Sequence, residues 1–190
     1  MTRSAVTIAI LLALAHAAAP VGADTTTDEA EIYRLILVGV LRERPARQVV
    51  VVAETSESMM YSVAYTKEGA YSHFAFLSDE VFKDFETKLA SEVRHADLSH
   101  VRDDIVLVSR DTFEVLFEPG GGRWEEFYRR YPDSQGITVL SHIGFDSKHQ
   151  VALVYSSTRM FDLAAEGKLY AFTKVNGKWT LRKELSLWMS

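Results

Sequence analysis

The chain has 190 residues, 47% hydrophobic and 25% charged, with a formal net charge of −5 and no cysteine. The missing thiols exclude disulfides, thiolate zinc sites, cysteine-ligated iron–sulfur clusters and cysteine nucleophiles. The mildly acidic balance argues against a nucleic-acid partner, because such binders draw affinity from neutralising phosphates.

Residues 1–23 read as an export signal. Arg3 gives a short positive start, Ala5 to Ala15 an apolar run too short to span a bilayer comfortably, and Val21-Gly22-Ala23 a small-residue cleavage site ahead of Asp24. Cleavage after Ala19 would leave Pro20 first, so the cut is expected after Ala23. A lipoprotein signal needs a cysteine at the cleavage point, and there is none. The expected location is outside the cytoplasm, periplasmic or secreted. Removing the signal leaves 190 − 23 = 167 residues. That is the size of one domain, 24–190, which buries roughly 70% of its unfolded surface and needs no disulfides. No later segment approaches membrane-spanning length, so no span is expected after cleavage.

Asp28-Glu29-Ala30-Glu31 gives an acid-rich helix start. Ile32, Leu35, Ile36, Val40 and Leu41 recur at helical spacing toward a stop at Pro45, while Leu37 and Val38 widen the apolar arc toward a covering sheet. The basic cluster Arg42, Arg44, Arg47 is broken by Glu43 and Pro45 and reads as a solvated helix end. Residues 48–54 hold four consecutive valines; unbroken apolarity predicts a central strand buried on both faces. Residues 59–77 alternate as a loose hairpin does, with a partly helical alternative. Ser78-Asp79-Glu80 caps a second helix with Val81, Phe82, Phe85 and Leu89 on one face. Residues 105–109 and 112–118 read as two short strands around Arg110-Asp111. Beyond the break at Pro119-Gly120-Gly121-Gly122, a third helix sets Trp124, Phe127, Tyr128 and Tyr131 as a core stripe.

Residues 137–145, 151–157, 168–175 and 178–188 read as four successive strands with short links, an antiparallel meander. Asn176-Gly177 is a two-residue hairpin turn, since both residues tolerate positive φ. In the last strand Trp179, Leu181, Leu185 and Leu187 are expected on one face. The fold class is therefore α+β: an antiparallel sheet with a C-terminal four-strand meander, packed against two or three helices.

Tyr131-Pro132-x-Ser134-x-Gly136-Ile137, Ser141-x-x-Gly144-Phe145, Ala152-Leu153-Val154-Tyr155, Gly177-Lys178-Trp179 and Trp188-x-Ser190 together resemble a family of short, uncharacterised exported bacterial proteins. The resemblance covers about the last third of the chain. It implies export and a shared fold, and brings no established activity.

Of the histidines, His95 and His100 are five apart, off the four-residue spacing that aims two imidazoles at one ion, so no metal or cofactor is expected. His95, His100 and His149 read as solvated loop residues. His142 lies beside Ser141, but strand neighbours point to opposite faces and so form no nucleophile–base pair by themselves. Arg123, after the triple glycine, could meet an anion. The leading expectation is a non-catalytic module binding a small ligand, peptide or envelope partner through the sheet near His142, Tyr155 and Tyr170, with Arg123 as a further contact. One alternative is a small extracytoplasmic hydrolase or lyase with its site in the sheet cavity. The other is a homodimer built on the valine strand or an open sheet edge.

Overall fold

A computed structural model describes residues 27–43, 46–55, 72–89, 91–95, 98, 103–117 and 123–190. The expected signal at 1–23, His100, the triple glycine and most of the 59–77 stretch lie outside them. Ser72 and His73 are helical rather than extended.

Helix α1 (Thr27–Glu43) carries Asp28 and Glu29 in its first turn, where carboxylates meet the positive end of the helix dipole. It buries Ile32, Tyr33, Ile36 and Leu37. Strand β1 (Gln48–Val52) pairs in parallel with β4 (Ile105–Val108) on one side and β5 (Ser134–Leu140) on the other. Its valines alternate: Val49 and Val51 join the cluster beneath α1, Val50 and Val52 the cluster on the opposite face. The predicted central strand is thus present. With both edges hydrogen-bonded, it has none to offer a second copy.

Beyond β1, the two-residue strands β2 (Glu54–Thr55) and β3 (Val93–Arg94) form a separate antiparallel ribbon, with helix α2 (Asp79–Leu89) between them in sequence. Residues 110–117 are a helix, α3 (Arg110–Phe117), and not the expected strand over 112–118. The spacing of Phe113, Leu116 and Phe117, all buried, is helical. The Ser109 hydroxyl also accepts from the Thr112 N–H at 3.2 Å, an N-cap that alternation alone did not reveal. Helix α4 (Trp124–Arg130) follows, and Trp124 and Phe127 are core residues as expected.

After β5 come β6 (Gly144–Phe145), β7 (Val151–Phe161), β8 (Ala164–Val175) and β9 (Lys178–Met189). The sheet order is β4-β1-β5-β7-β8-β9, with β6 also on β7. The fold is α+β, its sheet mostly antiparallel with a parallel N-terminal side, and the meander is present, with the expected first strand over 137–145 split at 141–143 into β5 and β6. Turn residues Asn176 and Gly177 have φ of 51° and 78°.

Both sheet faces are covered: α1 lies over one, and residues of α2, α3 and α4 fill the other. The predicted one-sided last strand needs correction. A β-bulge leaves Arg182 between the pairs Ala171–Lys183 and Phe172–Leu181. One extra residue inverts the side-chain phase, so Trp179 packs under α1 while Leu185 and Leu187 pack against the opposite layer.

Candidate functional site

The structure does not bring the four residues singled out from sequence together. Tyr155 and Tyr170 are both buried, in clusters on opposite faces of the sheet, so they line no common surface. The Tyr155 hydroxyl accepts from the Trp188 indole at 3.2 Å, and burial raises its pKa. His142 sits in the break between β5 and β6, its Nε2 3.1 Å from the Glu92 carbonyl. Arg123 is exposed ahead of α4, beside an open cleft of about 430 Å³ with Trp124, Glu125, Glu126 and Arg129. Glu126 there is held by Arg129 and Arg130, whose hydrogen bonds lower its pKa. Over the sheet face suggested for a catalytic cavity, Trp124 and Phe127 pack in one cluster with Ile137, Leu153 and Tyr155.

Ser141 is occupied by the main chain. Its hydroxyl donates to the His142 carbonyl at 2.7 Å and accepts from the Tyr155 N–H at 2.9 Å, so it bonds the backbone of His142 and not the ring. His95 requires a correction: it is fully buried, not solvated. The strand break leaves the carbonyls of Leu140 and Ser141 projecting beyond the end of β1. His95 Nε2 (3.2 Å) and Thr55 Oγ1 (2.7 Å) donate to Leu140, and Tyr33 donates to Ser141 (2.8 Å). Because a carbonyl only accepts, Nε2 carries the ring proton. Nδ1 is a buried acceptor with no hydrogen-bond partner among the described residues, and the Tyr33 ring stands edge-on at 4.9 Å. Burial drives the His95 pKa down to about 4, only partly opposed by the Leu140 hydrogen bond.

Polar groups converge instead along α2. Val81, Phe82 and Phe85 turn into the core, and Glu80, Lys83, Asp84, Thr87 and Lys88, at i, i+3, i+4, i+7 and i+8, form a second stripe. That stripe lines an open cleft of about 360 Å³ completed by Phe145, Asp146, Ser147 and His149. The two walls are locked together. A Cβ on Gly144 would lie 2.6 Å from the Phe85 Cα, so only glycine lets β6 approach α2 this closely. Asp84 accepts from the Phe145 N–H at 2.8 Å and from Lys88 at 2.7 Å, and Lys88 also reaches the Ile143 carbonyl at 3.1 Å. Glu80 accepts from the Ser147 N–H at 3.1 Å, while Asp146 holds the turn by accepting from the N–H groups of Gln150 (2.7 Å) and Val151 (2.8 Å).

His149 closes this turn in the left-handed region, with φ of 49°. Its ring stacks on Phe145 at 4.6 Å and 12°. Behind them Phe145 meets Trp179 at 5.7 Å, and Lys174 lies 5.1 Å from the Trp179 ring while holding both oxygens of Asp28 at 2.8 Å. Burial of Asp28 works to raise its pKa, but the hydrogen bonds from Lys174 and the nearby positive charge outweigh it, and the group titrates below its ordinary value.

Sequence reasoning missed this cleft because it followed only the apolar stripe of α2. The signal was the complementary polar stripe beside it; the facing turn is 57 or more residues away and gives no local hint. No family model, curated protein or solved structure matches the chain. No metal-holding group of His, Asp and Glu occurs among the described residues, and none of their helices is long and apolar enough to cross a membrane.

Proposed function

We propose that this chain is an exported, non-catalytic binding module, and that its site is the cleft between α2 and the 145–149 turn, where a small polar ligand is held. The observation that carries this reading is the cleft itself: a recess of about 360 Å³ with five polar residues of one helix on one side and an aromatic–imidazole stack on the other. Its volume lies within the usual range of small-molecule sites. Glu80, Asp84 and Asp146 each accept main-chain N–H groups across or within the facing turn. They therefore act as fixed struts, and a preformed rim saves the ligand the ordering cost of binding. Export rests on the signal-like residues 1–23 and on the family resemblance.

Two measurements test the proposal. N-terminal sequencing of protein recovered from an exporting host is expected to start at Asp24; retention inside the cell with Met1 in place would refute export. Chemical-shift mapping against a small-molecule library is expected to give saturable shifts at Thr87, Ser147 and His149. Saturable shifts confined to other surfaces would move the site.

A further inference from the structure

Resting on that reading, we propose that the cleft selects a small planar anion, a ring bearing a carboxylate or phosphate, with the ring on the outer face of His149 and the anionic group at Lys83 and Ser147. Of the charged side chains lining the cleft, Asp84 and Lys88 neutralise each other at 2.7 Å, and Glu80 and Asp146 are hydrogen-bonded to main-chain amides. Lys83 lines the same wall with its ammonium in no hydrogen bond or ion pair among the described residues, and the Ser147 hydroxyl on the opposite wall is likewise uncommitted there. An ammonium and a hydroxyl facing one recess form a donor pair for an anion.

The ring-binding half follows from His149. One imidazole face lies flat on Phe145, Nδ1 lies 3.9 Å from an Asp28 oxygen, and the side chain, 55% exposed, lines the cleft. Its backbone position is one that glycine adopts freely. A residue with a side chain incurs roughly 1–2 kcal/mol there, and the Asp146 acceptors that hold the turn do not involve the imidazole. A flat, half-exposed ring, backed by Phe145 and then Trp179, is a stacking platform for another flat ring.

The test is an amide-shift titration of the full chain with indole-3-carboxylate and phenyl phosphate. Acetate and inorganic phosphate serve as anions without a ring, and benzylamine and Mg²⁺ as cations. Both ring anions are expected to saturate shifts at Thr87, Ser147 and His149, and to bind about tenfold more tightly than acetate or inorganic phosphate. Lys83→Gln is expected to weaken them about tenfold, with Lys83→Arg largely restoring affinity. His149→Gly is expected to abolish the advantage of the ring probes while leaving the thermal midpoint equal or higher, which separates binding from folding. Preference for benzylamine or Mg²⁺, or unchanged affinity in Lys83→Gln, overturns the ligand class and leaves the cleft standing as a site. Absence of saturable shifts at the cleft with every probe overturns the binding reading as well.

Discussion

On one side of the sheet each strand pairs with its neighbour in sequence, β7 with β8 and β8 with β9, through turns at Asp162-Leu163 and Asn176-Gly177. On the other side β1 lies between β4, which follows it only after α2 and the β2–β3 ribbon, and β5, which follows only after α2, α3 and α4. In the meander, turn chemistry fixes which residues meet, and burial then chooses the face. In the parallel side no turn can do so. Its register rests on the two-faced apolarity of β1 and on helices pressing from above and below. The local half should tolerate losing a single core contact better than the half assembled from distant pieces.

The strongest way to break this contrast is at the joint between the halves. Gly144→Val drives side-chain atoms into the Phe85 backbone, separating α2 from β6, and is expected to destabilise the chain by upwards of about 4 kcal/mol in urea unfolding. Within the parallel side, Ile137→Ala removes a fully buried side chain of β5 and should lower stability by about 3–4 kcal/mol with the denaturant slope unchanged.

Acid supplies the next step down. In the unfolded chain His95 titrates near 6.5, but in the folded protein only near 4. Above pH 6.5 both states are neutral and the group is silent. As pH falls from 6.5 to 4 the unfolded state takes up a proton that the folded state refuses, and about 3 kcal/mol of stability is lost. His95→Gln is expected to flatten this part of the pH profile in thermal melts, although it lowers stability at neutral pH. The smallest effect belongs to the meander: Asn176→Ala, at φ of 51°, should cost about 1 kcal/mol. Were the meander mutant to match Ile137→Ala in cost, the contrast between local and distant assembly would fail.

The meander, the central valine strand, the helix from Asp28 and the helix capped at Ser78-Asp79-Glu80 were legible because their patterns are self-contained: alternation, a positive-φ turn pair, four valines, capped amphipathic runs. Residues 112–118 misled because Phe113, Val115 and Phe117 alternate as a strand does, and the cap at Ser109 that starts α3 lies outside that window. His95 misled because polarity suggested solvent, whereas two carbonyls stranded at the end of β5 needed donors from within the core. The cleft stayed hidden for a further reason. Its walls, α2 and the 145–149 turn, are joined by tertiary contacts alone, at Gly144 and through Asp84 and Glu80, and Phe145 and His149 gain their meaning as a stack only once those contacts form.

The bulge at Arg182 works as a phase shifter. Upstream of it β9 contributes Trp179 to one hydrophobic layer, and downstream Leu185 and Leu187 to the other. The guanidinium of this bulged residue lies over the Phe76 ring at 4.1 Å. A single-residue deletion here would leave the strand's composition nearly intact yet exchange the layer that Trp179 serves, taking it from Phe145 and from the face that α1 covers. In any alignment of related chains, a gap at this position therefore means a different interior, not a shorter surface.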